Sequence, residues 1–153
     1  MLKSRLFFAV LFSVLISSCG SEETLTPEQE SQKIEEYISS KKLIVTEKTS
    51  SGLRYILTKA NTAGVKVAKG QTIYVNYTGR LLTDKQFDAG NFSFVLGSGG
   101  AITGFEEGIA KMKIGEKTTL IFPSALGYGS KGSGSSIPGY SPLVFDIEVI
   151  SAK

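Results

Sequence analysis

The chain has 153 residues, of which 41% are hydrophobic and 20% charged, a composition typical of one globular domain. It contains no histidine, which removes the usual general base at neutral pH and the commonest metal ligand. The single cysteine, Cys19, excludes an internal disulfide and is too isolated for a metal site, so we expect no metal and no cofactor. A formal net charge of +3 is too small to indicate a nucleic-acid partner.

Residues 1–18 have the layout of a secretory signal, with a basic start, an apolar run over residues 6–16, and then Ser17 and Ser18. The run is shorter than the roughly 20 residues that span a bilayer. The sequence Ile-Ser-Ser-Cys resembles the bacterial lipoprotein signal, which is cleaved before a cysteine that is then acylated. We therefore expect a lipoprotein signal peptide over residues 1–18 and lipidation of Cys19. A transmembrane anchor, or a plain cleaved signal with an incidental Cys19, are the alternatives.

Residues 19–42 are expected to form a tether and a short helix that precede the main domain, residues 43–153. Thr26 and Gln29 have the spacing of a capping box, and Pro27 suits the first helical position. Apolar residues follow at helical spacing in a narrow stripe, which predicts a helix that is only weakly held by the domain. Docking onto the core, a solvated stalk and dimerisation all remain open for it.

From residue 43 onward, apolar residues alternate with their neighbours in five segments, which is typical of half-buried strands. We expect one face of each strand to contact a core and the other to face water. The residues predicted to face the core are Leu53, Tyr55, Leu57, Ile73, Val75, Tyr77, Phe92, Phe94, Leu96, Leu120, Phe122, Leu143, Phe145, Ile147 and Val149.

One segment between the strands, ITGFEEGIAKM (102–112), has helical spacing, and its Phe105, Ile109 and Met112 share a face. Thr103 and Glu106 have the spacing of a second capping box. The macrodipole explains Glu106 and its neighbour Glu107 in the first turn. Adjacent helical residues point about 100° apart, so the two carboxylates are not predicted to form an acid–base pair.

These elements predict an α+β domain, in which an antiparallel sheet packs one short helix against its apolar face. Several aromatic residues fall on inward rows or near the helix. They are Tyr77, Phe87, Phe92, Phe94, Phe105 and Phe145. From the residues alone, a packed core is the default interpretation of this set.

Eight short motifs follow one another between residues 77 and 149. They are YTGRL (77–81), FDAG (87–90), FSFVLG (92–97), AITGFEEG (101–108), GEKTTLIFP (115–123), ALGYG (125–129), IPG (137–139) and LVFDIEV (143–149). In this order the series resembles the FKBP family of peptidyl-prolyl cis/trans isomerases, which binds rapamycin, over about residues 50 to 152.

The resemblance implies a twisted antiparallel half-barrel sheet wrapped around one short helix, with an aromatic pocket between them. It implies proline-containing polypeptides as substrates and allows rapamycin-like macrolides as further ligands. The catalytic residues that match the family motifs are Tyr77, Asp88 and Tyr128. The matching substrate-binding residues are Phe87, Phe94, Ala101, Ile102, Phe105, Ile137 and Phe145.

Roles carry over from the family in the same way. The rings of Phe94, Phe105 and Phe145, with Ala101 and Ile102, would hold the proline ring. The N–H of Ile102 and the hydroxyl of Tyr128 would bind substrate carbonyls. The rotating carbonyl would be surrounded by Tyr77, Phe87 and Asp88, and Asp88 would also orient Tyr77.

Each polar role has a structural alternative, and the sequence departs from the family in places. Asp88 can instead be a turn residue that bonds its own backbone, and Tyr128 a loop aromatic packed over the core. Phe105 stands where many family members have Trp. The short segment after Asp88 leaves it without the basic partner that some relatives have there.

The resulting hypothesis is an isomerase that is anchored by lipid in the bacterial cell envelope, in the outer membrane, where it faces either the periplasm or the cell surface and assists protein folding. The alternative is a chaperone-like FKBP module that binds apolar segments without catalysis. A structural β-rich lipoprotein is a third hypothesis, which the order of the motifs disfavours.

Overall fold

The computed structural model describes residues 24–153, so the signal sequence and Cys19 lie outside the described residues. Within these described residues, two helices and six strands follow in chain order, with short 3₁₀ turns between β5 and β6. They are α1 (Pro27–Ser40), β1 (Glu47–Lys48), β2 (Arg54–Lys59), β3 (Thr72–Leu81), β4 (Gln86–Val95), α2 (Thr103–Ile109), β5 (Lys117–Phe122) and β6 (Leu143–Ala152). Neither helix in this part of the chain is long and apolar enough to cross a membrane.

All six strands belong to one antiparallel sheet with the order β1-β2-β5-β6-β3-β4. The main core lies between one face of this sheet and α2, and it buries nearly all the residues that alternation predicts to face inward. The prediction of an antiparallel α+β fold with a short helix on the apolar face is therefore confirmed.

Two glycines let α2 approach the sheet closely. A Cβ atom on Gly104 would lie 2.6 Å from the ring of Phe122, and one on Gly108 would lie 2.1 Å from a methyl group of Leu120. Neither distance leaves room for a side chain, so the glycines allow the helix to bring Phe105 deep into the core.

The ends of α2 differ from the prediction. Its N-cap is Ile102 and no side chain caps it, so the expected capping box of Thr103 and Glu106 is wrong. The Glu106 carboxylate instead accepts hydrogen bonds from the loop that precedes the helix. The helix ends at Ile109, and a tighter turn, in which the N–H of Met112 donates to the carbonyl of Ile109 at 2.9 Å, brings Met112 into the core.

Helix α1 begins as predicted but is held more firmly than its narrow stripe indicates. The capping box is present, with the N–H of Thr26 donating to Gln29 at 2.8 Å and the N–H of Gln29 donating to Thr26 at 3.3 Å. Its apolar residues pack on residues of β2, β5 and β6, and together they form a second buried cluster on the opposite face of the sheet. The members are Ile34, Tyr37, Ile38, Ile56, Ile121 and Val144. The expectation that this face meets water is therefore wrong where α1 covers it.

Polar contacts reinforce this docking. The buried carboxylate of Glu30 accepts hydrogen bonds from both the N–H and the hydroxyl of Ser124, each at 2.6 Å. Arg54, only 2% exposed, donates to Glu35 at 2.7 Å, and this bond lowers the pKa of the Glu35 carboxyl. Helix α1 is thus connected to both β2 and the loop after β5.

We expect Glu30→Gln to lower the free energy of unfolding by about 2 kcal/mol, measured by urea denaturation. The amide oxygen replaces only one of the two carboxylate acceptors, so the NH₂ group would face the other group of Ser124, and both charge-assisted hydrogen bonds of this buried site are lost. Glu28→Gln, an exposed change in the same helical turn, is the matched control and should leave stability unaltered. Equal unfolding midpoints for the two variants would contradict a stabilising role of the Glu30 contact.

Candidate functional site

A cavity of about 450 Å³ opens to solvent between β3, β4, the start of α2 and the loop after β5. Aromatic side chains form most of its wall, and short loop residues close one side. The lining residues are Tyr77, Phe87, Asp88, Phe92, Gly99, Gly100, Ala101, Ile102, Phe105, Tyr128 and Phe145. The arrangement is an apolar pocket with a few polar groups, which is typical of ligand sites.

The rings pack edge to face at the base of the cavity. Phe105 contacts Phe145 with 5.3 Å between ring centroids and Tyr77 with 5.9 Å, in T-shaped pairs. Phe87 packs in the same way on Phe145, at 5.6 Å. Both Phe105 and Phe145 are only 4% exposed, so the base of the pocket is continuous with the main core.

Gly79, behind this wall on β3, provides the space that two of the rings occupy. A Cβ atom there would lie 2.5 Å from the ring of Phe87 and 2.9 Å from the ring of Phe145. A larger residue would push one or both rings toward the cavity. The glycine of the YTGRL motif therefore sets the shape of the pocket from outside it.

A hydrogen-bonded pair lies on the polar side of the cavity. The hydroxyl of Tyr77 donates to Oδ2 of Asp88 at 2.6 Å, and Oδ1 of Asp88 accepts the N–H of Ala89 at 2.9 Å. The bond to Asp88, together with partial burial, raises the pKa of Tyr77 to about 12, so this tyrosine stays neutral at pH 7. Asp88 therefore both orients Tyr77 and bonds its own turn, and within residues 24–153 it forms no salt bridge.

The structure brings eight of the ten residues predicted for the site into the lining of one cavity. The two exceptions, Phe94 and Ile137, are buried in the main core and do not line it. Phe94 lies behind Phe92, with 5.5 Å between the centroids of their stacked rings, and Phe92 is the ring nearer the opening of the cavity. Phe94 thus supports the wall through its contacts with Phe92 and Phe105, and Ile137 belongs to the main core.

Three lining residues are absent from the sequence prediction, namely Phe92, Gly99 and Gly100. Phe92 is 37% exposed, although alternation places it on the same inward face as Phe94. The FSF motif contains both rings and could have indicated either one. Nothing in the sequence distinguishes the glycines of this loop from ordinary turn residues.

Two predicted carbonyl-binding groups are available at the cavity. The N–H of Ile102 has no hydrogen-bond partner among the described residues, while its carbonyl accepts two N–H groups of α2. Tyr128 lies between the two 3₁₀ turns, lines the cavity and is 37% exposed. No group of His, Cys, Asp and Glu that could hold a metal ion occurs in residues 24–153.

Comparison with known proteins identifies the same family that the sequence motifs resemble. The family model of the FKBP-type peptidyl-prolyl cis-trans isomerase matches residues 64–150. FK506-binding protein 2 of Dictyostelium discoideum is 38% identical over 110 residues, which are 69% of this chain and 80% of that protein. Human peptidyl-prolyl cis-trans isomerase FKBP2 is 40% identical over 94 residues, which are 58% of this chain and 66% of that protein.

Among solved structures, the crystal structure of FkpA from Escherichia coli matches with a TM-score of 0.70 and 34% sequence identity. The match covers 82% of this chain and 60% of the FkpA chain. The fold, the site and the matched sequence agree, and the chain therefore belongs to the FKBP-type peptidyl-prolyl cis-trans isomerases.

Proposed function

We propose that the aromatic cavity binds X–Pro segments of unfolded polypeptides and accelerates rotation about the bond that precedes proline. The observation that carries this proposal is an open pocket of about 450 Å³ whose base is made of aromatic rings and whose rim has few polar groups. A proline ring is apolar and fits such a base, while the flanking peptide needs only a few hydrogen bonds at the rim.

The chemistry requires no nucleophile, metal ion or proton transfer. Resonance gives the amide bond a rotation barrier of ~18–20 kcal/mol, and uncatalysed rotation takes tens of seconds or more. The twisted transition state loses resonance and therefore much of its charge separation. An apolar pocket stabilises that state relative to the planar amide better than water does, which is differential binding of the transition state.

The roles of individual residues follow from their places in the cavity. Phe105 and Phe145 at the base would hold the proline ring, with Ala101 and Ile102 beside it. The N–H of Ile102, which has no partner in residues 24–153, and the hydroxyl of Tyr128 would bind substrate carbonyls. Tyr77, held by Asp88, would contact the rotating carbonyl as a neutral hydroxyl. Because Asp88 has no cationic partner among the described residues, its position depends on these local bonds.

A refolding assay on a protein whose folding is limited by proline isomerisation tests the proposal, with residues 19–153 as the added enzyme. We expect the slow phase to accelerate and a rapamycin-like macrolide to inhibit it, since several relatives are named as FK506-binding proteins. The alternative function is a chaperone-like module that binds apolar segments. Suppressed aggregation without any acceleration of refolding would favour that alternative.

We further propose that acylated Cys19 anchors the protein in the bacterial cell envelope, in its outer membrane, where it assists the folding of envelope proteins. Support comes from the apolar run and the Ile-Ser-Ser-Cys sequence before it. Mass spectrometry of protein extracted from membranes should find a chain that begins at Cys19 and carries acyl groups. A retained signal sequence or an unmodified thiol would disprove the anchor.

A further inference from the structure

The loop of residues 97–101 joins β4 to α2 and forms one wall of the aromatic cavity through Gly99, Gly100 and Ala101. A second cavity of about 500 Å³ lies on the other side of this loop, and Gly99 and Ala101 line both cavities. The loop is therefore a thin wall with open space on each side. Packing alone gives it little support, so its hydrogen bonds decide where it lies.

Both ends of the loop are bonded to one carboxylate. Oε2 of Glu106 accepts the N–H of Gly97 at 2.8 Å, and Oε1 accepts the N–H of Ala101 at 3.2 Å. Hydrogen bonds to an ionised carboxylate are stronger than those between neutral groups. Within the loop, Gly97 and Gly99 have φ of 83° and 76°, a left-handed conformation that glycine adopts without strain.

We propose that Glu106 is a positioning residue, which fixes this wall and the N–H of Ile102 for binding of the X–Pro segment. The inference rests on the function proposed for the cavity. Ile102 directly follows the bonded N–H of Ala101, so a displacement of Ala101 moves the amide that would bind the substrate carbonyl. Glu106 does not line the aromatic cavity and acts only through the loop.

The neighbouring glutamate provides a matched control. Both oxygens of Glu107 accept the hydroxyl of Ser51 at 2.8 Å, and within residues 24–153 no hydrogen bond joins the Glu107 side chain to the loop of residues 97–101. Glu106→Gln and Glu107→Gln each remove one negative charge from the same helical turn. A difference between the two variants therefore reports the loop contacts and not the interaction with the helix dipole.

Two measurements on the same variants test the proposal. In Glu106→Gln the amide oxygen can accept only one of the two N–H groups, so hydrogen exchange of Gly97 and Ala101 should become faster. KM for a proline-containing tetrapeptide should rise about threefold to fivefold with kcat unchanged, because a disordered binding group weakens the ground state and the transition state alike. Glu107→Gln should match the unmodified protein in both measurements.

Equal exchange of Gly97 and Ala101 in the two variants would overturn the proposed contact. Faster exchange with an unchanged KM would overturn the positioning role. If the unmodified protein does not catalyse isomerisation, the function proposed for the cavity fails instead. The dissociation constant for the peptide Ala-Leu-Pro-Phe, measured by NMR titration, then replaces KM and is expected to change by the same factor.

Discussion

Replacement of Phe145 by Ala is expected to lower kcat/KM for a proline-containing peptide at least about tenfold, which corresponds to roughly 1.4 kcal/mol of transition-state stabilisation. Phe145 lies at the centre of the aromatic base and packs on Phe87, Phe105 and Phe122. Its removal would widen the base and admit water, which stabilises the planar amide. Peptide isomerisation kinetics under conditions where the variant is folded provide the measurement.

The change also removes a buried ring, which typically costs about 3–5 kcal/mol of stability, so loss of folding must be separated from loss of the pocket. Phe145→Leu retains most of the buried volume and should still lower the rate. Phe122→Leu is the control, because Phe122 is fully buried, stacks on Phe145 at 5.8 Å and does not line the cavity. A rate loss in Phe122→Leu as large as in Phe145→Leu would show that the effect comes from stability alone.

Replacement of Asp88 by Ala is the second change expected to lower kcat/KM at least about tenfold. Here stability should change little, because Asp88 is exposed. Without the 2.6 Å hydrogen bond, the Tyr77 hydroxyl loses its fixed orientation toward the cavity. The same loss should bring the pKa of Tyr77 down from about 12 toward its ordinary value of 10, which an NMR titration of the tyrosine ring carbons would detect.

Asp84 offers a close control for this change. It is also exposed and accepts a tyrosine hydroxyl, that of Tyr37, at 2.8 Å, but it lies outside the cavity. Burial and this bond raise the pKa of Tyr37 to about 12 as well. Asp84→Ala should lower the pKa of Tyr37 and leave isomerisation unchanged. An unaltered rate in Asp88→Ala, with the pKa of Tyr77 lowered, would remove Asp88 from the proposed mechanism.

Local patterns in the sequence were sufficient for the elements and for much of the cavity. Alternation identified the long strands, and the Thr26–Gln29 spacing identified the start of α1, because these signals depend on residues close together in the chain. The motif resemblance supplied most of the cavity lining. The resemblance indicates Phe94 where the cavity is lined by Phe92, because two rings on one strand face differ only in their distance from the opening.

Other errors concern contacts that depend on the tertiary structure. Glu30 meets Ser124 across 94 positions, so the firm docking of α1 could not be predicted from its narrow apolar stripe. The sequence explains Glu106 and Glu107 alike by the helix dipole, and nothing in it distinguishes the two carboxylates. Only the position of the loop of residues 97–101 separates the two glutamates, and that position is a tertiary property.

The docking of α1 has a consequence for how far the active domain can travel. With Cys19 acylated as proposed, the linker between the lipid anchor and α1 reaches only to Pro27. It has 27 − 19 = 8 residue steps, which span at most about 28 Å when fully extended. Firmly bound α1 cannot unwind to lengthen it. The catalytic domain would then stay close to the membrane surface, and its substrates would be polypeptides located near that surface.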